Sequence, residues 1–225
     1  MNDSRGRTGI PRWIEFGAAV IGLVAVSPML LLVGLLIELT SSGPMIFKQT
    51  RVGRGGRTFN LYKFRTMRVQ TQGAQFTAAD DDRMTKIGRF LRKTKMDELP
   101  ELWNVVTGDM SFVGPRPEVP CYVELSNPLW IETLRVRPGI TDPVTLKLRN
   151  EDVLLASIRE DRERYYLETL QPYKLLGYRK YIQDRSFEGD VVILWETLIA
   201  VLLPNSTPPP TFADISKFVS ENLRA

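Results

Sequence analysis

Histidine is absent from all 225 residues, and cysteine occurs once, at Cys121. A Ser/His or Cys/His nucleophilic pair, an imidazole-ligated metal and an intramolecular disulfide are therefore excluded by inventory. Catalysis, if the chain performs any, must rest on carboxylates, lysine, arginine, hydroxyls or a hard metal ion. No internal repeat is present, and no low-complexity tract is long enough to stand alone. The glycine-rich stretch Val52-Gly53-Arg54-Gly55-Gly56-Arg57 has the spacing of neither a P-loop nor a dinucleotide fingerprint, so a Walker-type NTPase is unsupported. The length suits one globular domain plus a membrane element.

The net charge is only +4, yet cations crowd one region: Arg51, Arg54, Arg57, Lys63, Arg65, Arg68, Arg83, Lys86, Arg89, Arg92, Lys93 and Lys95, interrupted mainly by Asp80, Asp81 and Asp82. Such a block suits phosphate, whether of lipid headgroups, nucleotides or nucleic acid. Ahead of it, Phe16 to Ile37 carries no charge. As a helix this run would measure roughly 33 Å, enough to cross a bilayer. It is long for a signal peptide and lacks a small-x-small cleavage pattern leading into a polar start, so an uncleaved membrane segment is expected.

Arg5, Arg7 and Arg12 precede the run, and Lys48, Arg51, Arg54 and Arg57 follow it. The positive-inside rule thus assigns both ends to the cytoplasm, which a single span cannot satisfy. Midway lie Ser27 and Pro28. Pro28 offers no N–H to the carbonyl of Val24, and Ser27 can offer its hydroxyl to a carbonyl so freed. A re-entrant helix-break-helix and an ordinary kinked span both fit these residues.

Downstream, Met45 to Gln49 and Thr58 to Met67 read as extended segments, the second placing Lys63 and Arg65 on one face. Thr85 to Glu98 reads as a basic amphipathic helix ending near Pro100. Pro117 holds Arg116 in extended backbone, so its guanidinium is presented from a stiff loop. Glu151 to Leu170 reads as a charged amphipathic helix, and Phe187 to Leu203 as an apolar one that suits either a core or the membrane interface. The run Pro208-Pro209-Pro210 favours an extended spacer, and Phe212, Ile215, Phe218 and Val219 mark a short amphipathic helix. The expected organisation is residues 1–40 for the membrane segment, 41–203 for a catalytic domain, and 204–225 for the spacer and final helix. The fold class is helix-rich α/β, a single membrane-associated domain with interfacial helices.

Asp97 and Glu98 are adjacent carboxylates at the end of the basic helix. Neighbouring helical side chains diverge by about 100°, so the pair cannot share one task on one face. One can meet substrate while the other meets a metal; equally, both can be solvated acids offsetting nearby Lys and Arg. A carboxylate approaching a pyrophosphate meets repulsion of about 4 kcal/mol at roughly 4 Å and an effective dielectric near 20. Lys63, Arg65, Arg116 and a hard ion such as Mg²⁺ would remove that barrier.

These residues resemble the bacterial sugar transferase family, the small monotopic phosphoglycosyl transferases, from about residue 10 to residue 203. The resemblance rests on Ser27-Pro28 in the apolar run, Lys63-Phe64-Arg65-Thr66-Met67, Arg92 with Asp97-Glu98-Leu99-Pro100, Gly108-Asp109-Met110-Ser111, Gly114-Pro115-Arg116-Pro117 and Arg137-Pro138-Gly139-Ile140-Thr141, in that order. It implies a re-entrant helix broken at Ser27-Pro28 and a monotopic placement on the cytoplasmic face of the bacterial inner membrane. It also implies a ping-pong reaction in which Asp97 attacks the β-phosphorus of a UDP-sugar, releases UMP and passes the phosphosugar to polyprenyl phosphate, undecaprenyl phosphate being the expected acceptor. Glu98 would ligate Mg²⁺, with Lys63, Arg92 and Arg116 on phosphate oxygens. The implied partners are the UDP-sugar donor, the polyprenyl phosphate acceptor and membrane lipids, with no nucleic acid; a homodimer is left open. One stretch and one single position depart from the family pattern: Asp142-Pro143-Val144-Thr145 stands where Gly-Trp-Ala-Gln often follows, and Glu101 stands where Gln is common. Lacking the extra spans and nucleotide-binding-like domain of longer relatives, the chain reads as a minimal catalytic form. The rival readings are a non-catalytic membrane module holding anionic lipid or nucleic acid on its basic face, and a glycosyltransferase using Asp80-Asp81-Asp82 as its metal motif.

Overall fold

A computed structural model describes residues 8–69, 78–159, 161–203 and 209–222. Arg5, Arg7 and the start of the proline-rich spacer, Pro204 to Pro208, lie outside them. The chain begins with α1 (Arg12–Thr40), followed by the hairpin β1 (Ile46–Val52) and β2 (Thr58–Phe64), α2 (Lys86–Thr94) and α3 (Glu101–Thr107). A second two-stranded sheet joins β3 (Ser111–Val113) to β4 (Gly139–Thr141), with α4 (Pro128–Thr133) between them in sequence. Helices α5 (Pro143–Lys147), α6 (Glu151–Ser157), α7 (Arg162–Tyr165), α8 (Gln171–Asp184), α9 (Phe187–Leu202) and α10 (Phe212–Asn222) complete the chain. The helix-rich character expected from the sequence is observed.

Two short sheets position the loops that matter. In the antiparallel hairpin Ile46 pairs with Phe64 and Val52 with Thr58. Its turn holds Gly55 at φ +69° and Gly56 at φ +77°, left-handed backbone that costs a side-chain-bearing residue about 1–2 kcal/mol. The glycine-rich basic loop is thus explained as a hairpin turn. In the parallel pair Ser111 faces Gly139 and Val113 faces Thr141. Here Gly114 and Gly139 meet backbone to backbone: a Cβ on Gly139 would lie 2.1 Å from the Gly114 nitrogen. This contact locks the Gly-Pro-Arg-Pro loop onto the Arg-Pro-Gly-Ile-Thr segment and fixes the base from which Arg116 projects.

The apolar N-terminal segment is one helix, not two separated by a break. Pro28 lies inside it, and the Ser27 hydroxyl donates to the Val24 carbonyl at 2.8 Å, the acceptor that Pro28 cannot serve. Among the described residues α1 alone is long and apolar enough to cross a membrane, with a mean hydropathy of 2.7 over its best window. Ile21, Val24, Leu31, Leu32, Leu35 and Leu39 are exposed along it. Both of its ends nevertheless pack on the same body. Near the start, Ala19 is buried with Leu61, Val105 and Met110. Near the end, Val33 and Ile37 are buried with Phe64 and Leu91.

The expected 151–170 helix is divided into α6, α7 and a π turn at Tyr166–Leu170 that runs into α8. Asp161 starts α7 afresh by accepting from the Arg164 amide at 3.0 Å. The π turn precedes Pro172, which cannot donate to Glu168 and whose ring crowds that carbonyl; the wider turn makes room, with the Gln171 amide reaching back to Tyr166. Apolar α9 keeps Val191, Val192, Trp195, Leu198 and Leu202 exposed, with Glu188 and Glu196 exposed among and beside them.

The final helix docks on the body. Ile215 and Val219 enter the largest core cluster beside Leu170 and Tyr173, and Phe212 and Phe218 meet Tyr165 and Tyr173 edge to face. Since Ile215 is fully buried, we predict that Ile215→Ala lowers stability by about 2–5 kcal/mol. A thermal melt of the purified chain checks this; an unchanged midpoint would show α10 to be dispensable for packing.

Candidate active site

Asp97 and Glu98 leave the basic helix before they are used. Thr85 caps α2 by accepting from the Gly88 amide, and at the other end Lys95 adopts φ +59°, the one left-handed non-glycine residue among those described. That reversal starts a separate 3-10 turn, Met96–Glu98. The two carboxylates therefore diverge, as adjacency required, but from a turn and not from the end of the helix.

Glu98 faces cations. Its Oε1 accepts from Lys63 Nζ at 3.0 Å and from the Arg116 guanidinium. Burial alone would raise its pKa, but Arg116 and Lys63 outweigh burial and hold the carboxyl well below the usual range. Arg116 is correspondingly held well above its ordinary value, chiefly by Glu98. Asp97 is in the opposite condition. It is 5% exposed, and its Oδ1 is buried without a hydrogen-bond partner. Burial, then the neighbouring Glu98, pushes its pKa up, against the pull of Lys63, Arg92 and Lys95. One carboxylate is thus committed to cations, while the other is dry, underbonded and only indirectly compensated. Unsatisfied buried acceptors are costly and rare, and they concentrate where chemistry uses them.

Four of the residues singled out from the sequence, Lys63, Asp97, Glu98 and Arg116, come together. Arg92 stands nearby: its Nε donates to Thr66 Oγ1 at 3.1 Å, and its charge acts on Asp97. Arg65 is employed elsewhere. The strand ends at Phe64, so the alternation that would have kept Arg65 beside Lys63 fails, and its guanidinium donates to the Ser41 and Ser42 carbonyls at 2.7 Å each, closing the chain after α1. Ser27 and Pro28 lie on the exposed part of α1. Of the aspartate run, Asp81 pairs locally with Arg83, while Asp80 reaches Arg162 at the start of α7.

Two residues were missed as parts of the site. Glu101, at the first position of α3, is 1% exposed and lies 3.1 Å from Lys63 Nζ. Asn104, one turn on and fully buried, accepts from the Tyr62 amide at 3.1 Å and donates to the Asn60 carbonyl at 2.7 Å. It therefore staples α3 to the edge of β2 and sets Lys63 against Glu98 and Glu101. Behind Arg116, Glu118 accepts from Arg51 at 3.2 Å and from the Tyr166 hydroxyl. The Asp142 departure is a cap: its Oδ1 accepts from the Val144 and Thr145 amides at 2.7 and 3.0 Å at the start of α5.

A helix-rich body bearing a long apolar surface helix, with a cation-held carboxylate next in sequence to a buried one that lacks a hydrogen bond, defines a membrane-associated protein with a charged, partly desolvated site. The chain belongs to the bacterial sugar transferase family, whose model matches residues 7–204. It is 44% identical over 137 residues to a UDP-N-acetylgalactosamine-undecaprenyl-phosphate N-acetylgalactosaminephosphotransferase of Aeromonas hydrophila, covering 59% of this chain and 32% of the relative. A putative undecaprenyl-phosphate N-acetylgalactosaminyl 1-phosphate transferase of Bacillus subtilis is 46% identical over 117 residues, 51% of this chain and 65% of that protein. A UDP-glucose:undecaprenyl-phosphate glucose-1-phosphate transferase of Caulobacter vibrioides is 36% identical over 196 residues, 85% of this chain and 69% of that protein. The matched stretches thus range from about a third to about two thirds of these relatives' lengths.

Proposed function

We propose that the chain transfers a sugar-1-phosphate from a UDP-sugar to a polyprenyl phosphate such as undecaprenyl phosphate at the cytoplasmic face of the bacterial membrane, through a phosphosugar held on Asp97. The observation that carries this reading is the contrast between the unbonded, buried Asp97 Oδ1 and the cation-saturated Glu98 next to it. In the first step an Asp97 oxygen forms a bond to the β-phosphorus of the donor, and the bond from that phosphorus to the bridging oxygen breaks, so that UMP leaves with the electron pair. In the second step a phosphate oxygen of the polyprenyl phosphate bonds to the same phosphorus, and Asp97 departs as a carboxylate. A low-dielectric setting makes the Asp97 anion poorly solvated and hence reactive. Lys63 and Arg116 carry the positive charge that offsets the donor's phosphates, and Arg92 adds to it.

Among the described residues no three acidic, cysteine or histidine side chains group closely enough to cage a metal. Mg²⁺ is often held by only one or two carboxylates with substrate phosphates; Glu98, whose Oε1 is engaged by Lys63 and Arg116, would offer its second carboxylate oxygen in that manner. Bound there, the ion would neutralise charge on the diphosphate. Glu98 is its proposed protein ligand.

The exposed apolar side chains of α1 and α9 support a monotopic placement, with both helices in contact with lipid and both ends of α1 on the cytoplasmic side. The test is to incubate the purified chain with a panel of UDP-sugars and Mg²⁺, without lipid acceptor. We predict a burst of UMP and a phosphosugar adduct, seen by intact mass and localised to the peptide carrying Asp97, both suppressed by chelation. Release of UDP, or steady turnover with no adduct, would refute the mechanism.

A further inference from the structure

Lys63 serves two carboxylates. Its Nζ lies 3.0 Å from Glu98 Oε1 and 3.1 Å from Glu101 Oε1. The first contact has hydrogen-bond geometry; the second does not, and Glu101 Oε1 is otherwise buried without a hydrogen-bond donor. The partners also differ in reserve. Glu98 shares its Oε1 with Arg116, whereas Lys63 is the cation in direct contact with Glu101. An ammonium has three protons to give and no preferred plane. Any anion arriving at Lys63 must therefore be accommodated alongside Glu98 and Glu101, and it is Glu101 that has least to fall back on.

We propose that Glu101 is an affinity-setting residue: its carboxylate competes with the donor's diphosphate for Lys63, so that the chain binds the donor more weakly than the same site would with a neutral side chain there. This rests on the reading that the diphosphate lies against Lys63. The competition acts on the ground-state complex and leaves the reacting carboxylate, Asp97, untouched. Weak ground-state binding is not wasted in a transferase, since tight binding of donor and leaving nucleotide alike would slow release of the latter without lowering the barrier. Fully buried Glu101 also sits one helical turn from Asn104, the staple to β2, so its position is set by the fold and not by a mobile side chain.

The test uses the whole chain and UDP as the probe, with binding followed by calorimetry. Glu101→Gln keeps the shape and one acceptor oxygen while removing the charge, and is expected to tighten UDP by about fivefold to tenfold; KM for the sugar donor should fall by a similar factor, with kcat within about threefold of the parent. Glu101→Asp keeps the charge and shortens the side chain, and is expected to give no such tightening. Unchanged or weaker UDP binding in the folded Gln variant would overturn the proposal, as would equal tightening in both variants, which would assign the effect to packing. Thermal melts report whether each variant is folded. A parent chain that neither binds UDP nor forms the Asp97 adduct would instead bring down the proposed function; a parent that does both, with a Gln variant that binds no tighter, brings down this inference alone.

Discussion

Asp97→Asn is expected to abolish turnover and UMP release and, at the same time, to raise the melting temperature. Both effects have one source. The Asn side chain matches the carboxylate in shape and cannot donate a lone pair to phosphorus as an anion, so the covalent route closes; losses on removing a nucleophile are on the order of 10⁴-fold or more. The carboxylate it replaces is 5% exposed, with a buried Oδ1 that accepts no hydrogen bond, and burial raises its pKa. A group whose folded pKa is raised contributes stability below its unfolded pKa and loses it as pH rises through the folded value. At neutral pH the ionised Asp97 is therefore a net cost to the fold, and the neutral amide removes much of it. A gain of about 0.5–2 kcal/mol is expected, which at roughly 2–4 °C per kcal/mol for a chain of this size is readily measured. A dead variant that is also less stable would mean that Asp97 is a structural acid, and an active one would end the enzymatic reading of this residue.

Much of this site was legible because its motifs are short and rigid. Gly114-Pro115-Arg116-Pro117 could be read as a stiff loop presenting Arg116, and the structure adds that Gly114 abuts Gly139 in the other motif. That the Asp97 and Glu98 side chains point apart followed from adjacency alone. What could not be read was which cation meets which anion, because that depends on contacts distant in sequence. Arg65 and Lys63 are two apart, yet one closes the end of α1 and the other meets Glu98, since β2 stops between them. Glu101 and Asn104 look like the polar positions of an ordinary short helix. Their burial comes from packing against β2, more than 35 residues earlier in the chain. Similarly, the amphipathic pattern of 151–170 gave no warning of the restart at Asp161 or of the π turn ahead of Pro172, because both are decided by caps and by one missing N–H.

The second large effect concerns sidedness. Fully straight, a helix of 29 residues would measure about 43 Å, long enough to carry its two ends to opposite faces of a bilayer, yet α1 is tethered at both ends. At its start the Arg12 guanidinium donates to the Val105, Val106 and Met110 carbonyls around the end of α3, and the Glu15 carboxylate accepts from the Phe112 amide at 3.1 Å. At its end Ile37 is buried against the body, and Arg65 holds the Ser41 and Ser42 carbonyls. A transmembrane path would break one of these sets. The cost would be a buried carboxylate stripped of its partners at the start, or a buried arginine stripped of its acceptors at the end, several kcal/mol in either case. Thr8 and Ser42 are exposed at the two flanks, and the single native cysteine is Cys121. In a Cys121→Ser background, Thr8→Cys and Ser42→Cys are therefore expected to react with a membrane-impermeant maleimide from the same side, fully in inverted vesicles and scarcely in right-side-out ones. Reaction of the two from opposite sides would establish a span, and with it a catalytic body that has released one end of α1.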